Sequence, residues 1–377
     1  MEEKNKKLRI LQVNKLYYPH IGGIESLVRS FSKELLEFAD VKVLVCQDKG
    51  KTSHEVIEGV PVTRASSLGI FASCPLSFSF FRLFRKMSKE ADVIEFHTPF
   101  PLADLACLLS GYKGRVVIAW HSDVVKQKKL LYFYKPVLKR FLKRADCIIT
   151  ATQGHIDGSS FLPEFRDKCK VIPYGIDIES YINAKRKPIL TEKLNDSKAV
   201  KILFVGRLVY YKGVDVLLKA MQNVHGGELF LVGKGTLEDE LKREAEENGL
   251  NKSVHFLGVL SDEDLKAAFA DCDFFVLPSV ANSEAFGIVQ LEAMIYKKPV
   301  INTNLLTGVP HVSLNGETGI TVEPDNVEQL SYAIQKLIDR DDLRQKYGLM
   351  AKFRVMSCFN EKKIIKQIYD ILKENCL

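Results

Sequence analysis

No stretch of the 377 residues reaches the roughly 20 consecutive apolar residues that a helix needs to cross a bilayer. That argues against a membrane-spanning chain. A secretory leader is not expected either: Met1 to Lys7 is polar and charged, and the first apolar run, Ile10 to Val13, is too short to serve as one. The expected location is therefore the cytoplasm. No cysteines are paired in a C-x-x-C motif. The eight cysteines, at 46, 74, 107, 147, 169, 272, 358 and 376, are scattered, and several sit in apolar runs such as Cys147-Ile148-Ile149, so buried reduced thiols are expected. There is no internal repeat or low-complexity tract, which excludes solenoids and linker-like chains. A DxD pair and a triad of metal-ligand residues are also lacking, and no metal is expected.

What is present is ordinary globular material, with 46% hydrophobic and 27% charged residues. The length exceeds what one core usually serves, so two domains are expected. The charge is uneven. Residues 1–184 carry 28 Lys/Arg against 20 Asp/Glu, whereas residues 185–377 carry 26 against 27. The positive field therefore belongs to the first half, which implies an acidic partner on that side.

Short β-rich runs alternate with amphipathic segments along the whole chain, the pattern of a parallel sheet covered by helices. In the first half strands are expected near Arg9-Val13, Val41-Cys46, Val93-Phe96, Val116-Trp120 and Cys147-Ala151, with helices between them from Ile24–Phe38 onward, and a last short strand at Val171-Ile172. Around Asn183 to Ala199 the hydrophobic period disappears, which marks a linker. A second series follows at Lys201-Val205, Glu228-Val232, Val254-Leu257, Phe274-Leu277, Val300-Asn302 and Gly319-Val322. The fold class is α/β, with two doubly wound Rossmann-like domains at 1–184 and 199–359. Such sheets bind ligands beyond the carboxyl ends of their strands, so a deep interdomain cleft is the expected site. The apolar Ile364, Ile365, Ile368, Ile371 and Leu372 recur at helical spacing, which predicts a helix within 360–377.

Several residues sit where a ligand of such sheets would lie. Gly22-Gly23-Ile24-Glu25 opens a helix whose free amides suit a phosphate. Gly206-Arg207 and Lys212-Gly213 place two cations just past a strand. An Arg fork beside a compact Lys charge suits a pyrophosphate. Glu284 and Glu292 lie eight positions apart; on one helix that is about 12 Å, too far for the roughly 5 to 9.5 Å of a glycosidase pair. With Glu284 in a loop and Glu292 one to two turns into a helix, they would instead hold opposite ends of a long ligand, a sugar and a ribose. The amides of Phe286, Gly287 and Ile288 between them would meet the linking phosphates. His121-Ser122-Asp123 ends another strand. Gly233-Lys234-Gly235 looks superficially like a dinucleotide fingerprint, but an acidic run at 238–240 replaces its third glycine, which argues against a dehydrogenase.

Taken in order, Gly22-Gly23-Ile24-Glu25, His121-Ser122-Asp123, Gly206-Arg207 with Lys212-Gly213, and Glu284 with Glu292 resemble the family 4 retaining glycosyltransferases of the GT-B fold, over nearly the whole chain. The resemblance implies a nucleotide-sugar donor whose diphosphate is held by Arg207, Lys212 and the Gly22-Gly23 backbone, its ribose by Glu292, and its sugar hydroxyls by Glu284. It places His121 at the reaction centre. It implies front-face substitution with retention and no metal. His121-Ser-Asp-Val-Val125, Pro173-Tyr-Gly175 and Thr307-Gly-Val-Pro310 resemble the branch that includes bacterial O-antigen mannosyl- and rhamnosyltransferases, which implies GDP-mannose as donor, with a UDP-sugar as alternative. The sequence departs from the family pattern at Tyr211 and His311, where acidic residues are common. By the same resemblance, residues 360–377 return to the first domain.

Two basic stretches with interleaved aromatics, Phe78 to Lys89 and Lys126 to Arg144, read as amphipathic helices. They are expected either to pack on their own domain or to dock on an anionic inner leaflet, where a lipid-linked or other glycan acceptor would wait. No nucleic-acid recognition module is present. The competing enzyme class is a nucleotide-sugar epimerase of the same fold, which would need further acid and base groups at the sugar.

Overall fold

The computed structural model describes residues 7–20, 22–123, 128–374 and 376, with side chains of 128–131 excepted. The chain divides into two compact units, Met1–Ile172 with Lys362–Leu377, and Pro173–Glu361.

The first unit is built on β1 (Leu8–Val13), β2 (Ala39–Cys46), β3 (Ser53–Ile57), β4 (Val60–Ala65), a small hairpin of β5 (Ile70–Phe71) and β6 (Cys74–Pro75), β7 (Val93–Thr98), β8 (Arg115–Trp120), β9 (Cys147–Thr150) and β10 (Cys169–Val171). Its main sheet runs β10-β9-β8-β7-β1-β2-β4-β3. All neighbours are parallel except β3, which runs antiparallel to β4 at the edge. The central strands read as almost continuous apolar runs because helices bury both faces. Phe80, Phe84, Phe96, Phe100 and Phe141 pack together in one core.

The second unit has a six-stranded sheet of β11 (Val200–Val205), β12 (Gly227–Val232), β13 (Val254–Gly258), β14 (Phe274–Leu277), β15 (Val300–Thr303) and β16 (Gly319–Val322). Its order is β13-β12-β11-β14-β15-β16, all parallel. The order reverses between β11 and β14, so the connections leaving those two strands diverge to opposite sides and open a crevice at their carboxyl ends. Every residue of β14 is buried.

Two expectations need correction. The division between units falls after Ile172 rather than in a linker near 183–199. The segment 173–198 is anchored to the second unit by isolated contacts: Tyr174 stacks edge-on to Phe286 with ring centroids 4.9 Å apart, and Leu190 and Thr191 donate backbone amides to Asp271 at 2.8 and 2.9 Å. Single anchors of this kind leave no hydrophobic period to read. The cysteines are not uniformly buried either: Cys46, Cys107, Cys147 and Cys272 are, whereas Cys358 is exposed. The basic helices Ser79–Ser88 and Lys128–Arg144 both pack one face on their own unit, through Phe80 and Phe84 in one and Leu138, Phe141 and Leu142 in the other. Of the proposed basic face, the side chains of Lys126, Lys128, Lys129, Leu130 and Leu131 lie outside the described residues.

Candidate active site

In the second unit the two loops beside the strand-order reversal carry the candidate residues. After β11 the chain runs through Gly206 and Arg207 to a single 3-10 turn, Tyr210–Lys212. It then opens the helix Val214–Met221 from Gly213, whose φ of +64° is left-handed. A Cβ at Gly213 would collide with the Pro278 carbonyl oxygen, so only glycine lets the loop close against the chain leaving β14. The Val280 amide donates to the Tyr211 carbonyl at 2.9 Å, which fixes the two loops to each other.

The result is a compact charged cluster. Lys212 Nζ lies 2.5 Å from Glu284 Oε2, each side chain 11% exposed. Ser279 Oγ donates to the same carboxylate oxygen at 3.3 Å. Arg207 is exposed and donates from Nη2 to the Tyr211 hydroxyl at 2.9 Å. The Tyr211 ring stands between the two cations, 6.0 Å from the Arg207 guanidinium carbon and 5.8 Å from Lys212 Nζ. Arg207 and Lys212, expected as a pair, and Glu284, expected from a separate segment, therefore meet in one place.

Glu292 has a different setting. The helix after β14 spans Val289–Ile295, so Glu292 lies in its first turn rather than one to two turns in, with Ile288 as the N-cap. Glu284 precedes this helix altogether, and the helical rise between the two carboxylates does not apply. Phe286 is buried. Gly287 has φ +73°, and a Cβ there would stand 2.6 Å from Leu277 Cδ2 and 2.8 Å from Gln290 Nε2, so glycine is required for the turn into the helix. Glu292 Oε1 accepts from the Tyr181 hydroxyl at 2.5 Å. Burial raises its carboxyl to about 7 against the partial compensation of that hydrogen bond, with Asp262 pushing it further up and Lys266 down.

In the first unit, Gly22 is the N-cap of the helix Gly23–Leu35. A Cβ at Gly22 would collide with the Glu25 carboxylate, while one at Gly23 would meet nothing within 4 Å. His121 follows β8 and is buried. Its Nε2 lies 3.0 Å from His97 Nδ1, and the rings are nearly parallel at 8°. Burial, with the nearby His155, lowers the His121 imidazole to about 3, so it is neutral at physiological pH. Among the described residues no group of three or more His, Cys, Asp or Glu is placed to hold a metal ion.

Comparison with known proteins decides the family. The profile "Glycosyltransferase Family 4" matches residues 21–180 and "Glycosyl transferases group 1" matches 186–353. The chain is 33% identical to O-antigen chain mannosyltransferase C of Escherichia coli, over 95% of this chain and 96% of that one. It is 34% identical to D-rhamnosyltransferase WbpZ of Pseudomonas aeruginosa, over 93% and 92%. The chain belongs to the family 4 glycosyltransferases. It is a hexosyltransferase. Its fold is GT-B, shared with Anabaena Alr3699/HepE, solved in complex with UDP-glucose (TM-score 0.78, 21% identical, 97% of this chain and 99% of that one). Sucrose-phosphate synthase from Thermosynechococcus elongatus also shares it (TM-score 0.77, 20% identical, 98% and 99%).

Around this transferase's expected residues stand others that the sequence reading passed over. Tyr211, noted only as a departure from the family pattern, holds Arg207. Tyr181 holds Glu292, and its own carbonyl accepts from the Tyr296 hydroxyl at 2.7 Å. Gln12, Glu95 and His97 line up behind His121. One signal for the last group was available: Val93-Ile-Glu-Phe-His-Thr98 is a strand buried at all six positions, and charged residues in such a strand need a reason.

Proposed function

We propose that this transferase moves a hexose, with mannose from GDP-mannose the favoured donor, onto a lipid-linked or oligosaccharide acceptor of an O-antigen-type surface polysaccharide, with retention at the anomeric carbon. The observation that carries the reading is the Lys212–Glu284 pair beside Arg207 at the strand-order reversal. It pairs a cation suited to phosphate oxygens with a carboxylate suited to sugar hydroxyls, and each can exchange its present partner for a part of one donor. Arg207 and Lys212 take the diphosphate, joined by the backbone amides of Phe286, Gly287 and Ile288; Gly22 and Gly23 are assigned to donor binding as well. Glu284 takes the sugar hydroxyls and Glu292 the ribose. His121 is assigned to the sugar at the reaction centre. The names of the relatives, one a mannosyl- and one a rhamnosyltransferase, favour mannose or rhamnose as the transferred sugar.

The chemistry asked of these groups is charge stabilisation rather than covalent catalysis. The bond from the anomeric carbon to the phosphate oxygen breaks, the bond to the acceptor oxygen forms on the same face, and the acceptor's proton goes to the departing phosphate. Negative charge grows on that phosphate in the transition state, where Arg207 and Lys212 stabilise it.

Thermal unfolding against GDP-mannose, GDP-rhamnose, UDP-glucose and ADP-glucose tests the donor, since a ligand that binds only the folded state stabilises it by mass action. A shift with the GDP-sugars alone supports the reading; a shift confined to UDP-glucose replaces it with a UDP-sugar transferase. Turnover of the donor to an isomeric sugar nucleotide without acceptor replaces it with an epimerase.

A further inference from the structure

Glu292 and Tyr296 stand four positions apart, one in the first turn of the helix Val289–Ile295 and the other at its C-cap, so their side chains leave the same face. That face grips one residue, Tyr181 of the short helix Ile178–Ile182, at two points. The Tyr181 hydroxyl lies 2.5 Å from Glu292 Oε1. The Tyr296 hydroxyl donates to the Tyr181 carbonyl at 2.7 Å, and the two rings meet edge to face with centroids 6.2 Å apart. Lys266 Nζ stands 5.1 Å from the centre of the Tyr181 ring and is paired with Asp262 at 2.8 Å. All five residues belong to the second unit.

A tyrosine fixed through both its carbonyl and its ring leaves its hydroxyl little freedom, and Glu292 Oε1 is held with it. Among the described residues Oε2 has no hydrogen-bond partner. When the carboxyl is protonated, either group can donate across the contact. When it is ionised it only accepts, and the Tyr181 hydroxyl, whose own ionisation burial and Glu292 push well up, keeps its proton and donates. The contact therefore favours the ionised form against the burial that opposes it. Asp262 and Lys266 also bear on this carboxyl, in opposite senses, and they are paired with each other.

We propose that Tyr181 is a positioning residue of the donor site, which pins Glu292 through Oε1, leaves Oε2 to accept from a ribose hydroxyl, and is itself set in place by Tyr296. The part of this that concerns the ribose rests on the reading of Glu292 given above; the pinning of the carboxylate does not. A ribose hydroxyl donates only to an acceptor, so a partner that keeps the carboxylate ionised near neutral pH and fixes its direction serves binding in two ways.

Tyr181→Phe keeps the ring and the backbone contact and removes the hydroxyl alone. Carboxyl-carbon NMR of the full-length protein follows Glu292, assigned by the loss of its signal in Glu292→Gln. Donor affinity is measured from pH 6 to 9 with whichever of GDP-mannose and UDP-glucose stabilises the wild type. In Tyr181→Phe the carboxyl midpoint is expected to rise by about one pH unit, the size of a lost hydrogen bond to a charged group. Donor affinity then falls by about fivefold at pH 7 and rejoins the wild-type value by about pH 9. An affinity loss equal at every pH is what mere loosening of the fold produces, and it overturns the proposal, as does an unmoved carboxyl midpoint. Tighter donor binding in Tyr181→Phe makes the hydroxyl a competitor of the ribose and overturns it too. Should Tyr181→Phe not fold, Tyr296→Phe, which frees the Tyr181 carbonyl, carries the test: the midpoint moves the same way by less, and a midpoint that stays in place overturns the proposal. Unchanged donor affinity in Glu292→Gln removes instead the reading of Glu292 at the ribose, while the pinning of the carboxylate is judged by the midpoint alone.

Discussion

Lys212 Nζ and Glu284 Oε2 lie 2.5 Å apart on loops that leave neighbouring strands, so the unliganded site satisfies its own charges. A diphosphate that takes Lys212 must displace Glu284, and sugar hydroxyls that take Glu284 offset the loss. Glu284→Gln weakens this internal competitor. The expected outcome is that free nucleoside diphosphate binds Glu284→Gln at least as tightly as wild type, while the nucleotide-sugar binds more weakly. Calorimetric titration with both ligands checks it; equal losses for the two contradict the assignment of Glu284 to the sugar. Lys212→Ala leaves a mostly buried carboxylate without its cation, and unfolding experiments without ligand should show a loss of about 3 kcal/mol.

On the proposed reading, Arg207 contributes chiefly when charge develops on the leaving phosphate. It is exposed and, among the described residues, its side chain hydrogen-bonds only the Tyr211 hydroxyl, at 2.9 Å, so its removal should cost little stability. Arg207→Ala is expected to lose about 2 to 4 kcal/mol of transition-state stabilisation in kcat/KM, the size seen when a charge-stabilising donor is removed. Tyr211→Phe frees the guanidinium without removing it and should cost only about 0.5 to 1.5 kcal/mol. Steady-state kinetics on both variants separate the charge from its holder. Near-normal activity in Arg207→Ala would place the diphosphate elsewhere.

If Glu292 holds the ribose as proposed, its carboxyl, raised to about 7 by burial, gives donor binding a pH dependence with a definite sign. Ribose hydroxyls donate to the ionised form, so binding expels a proton, and affinity should improve as pH rises from 6 toward 8, by at most about tenfold per unit. A nucleotide-sugar is the right probe because its diphosphate has no second ionisation near 7. Stability runs the other way. Between the ordinary carboxylate range and about 7, the unfolded chain releases a proton that folded Glu292 keeps, so this group makes the protein less stable as pH rises through that window. Glu292→Gln should flatten both slopes; an unaltered binding slope in that variant rules Glu292 out as its source.

Much of this was legible in the sequence because parallel strands buried on both faces are apolar runs. Val200–Val205, Phe274–Leu277 and Gly319–Val322 stand where the runs lie. What escaped falls into two kinds. Edge and surface elements such as β3, β5 and β6 bury few residues, and the helix Asp341–Cys358 carries apolar Leu349, Phe353 and Met356 on its exposed side, so neither shows a clear period. The partners of functional residues escaped for another reason. Gln12 and Glu95 are 83 positions apart, and Tyr181 and Glu292 are 111. Each reads locally as an unremarkable polar residue, and only sheet order or a distant anchor makes them neighbours.

Cys358 corrects the expectation of uniform thiol burial and supplies a simple check of the second unit. It is exposed at the end of its helix, while burial pushes Cys46, Cys107 and Cys272 up to about 12. Titration of the native protein with a thiol reagent at pH 8 should show Cys358 as the fastest-reacting group, lost in Cys358→Ser, with the half-buried Cys74, Cys169 and Cys376 reacting more slowly and the buried Cys46, Cys107, Cys147 and Cys272 reacting on unfolding. A fast phase of unchanged amplitude in Cys358→Ser would mean that another thiol is more open to solvent than Cys358.

No described helix is long and apolar enough to cross a membrane, yet the first unit exposes large rings among its cations. Phe78, Tyr132 and Phe133 are 83%, 77% and 78% exposed. Phe78 precedes the helix that carries Arg82, Arg85 and Lys86, and the other two stand on the helix that carries Lys135, Lys139 and Arg140. Isolated exposed rings need no explanation, but rings beside a cationic surface fit a headgroup region, where an aromatic sits at the interface and each nearby Lys or Arg adds about 1 kcal/mol against anionic lipid. The excess positive charge of residues 1–184 points the same way. Flotation with vesicles containing phosphatidylglycerol is expected to carry the protein, with binding reduced by salt and by Phe78→Ala combined with Tyr132→Ala and Phe133→Ala. Binding that ignores both lipid charge and salt would leave these rings as solvent-facing residues, because an electrostatic contact must weaken as the Debye length shrinks.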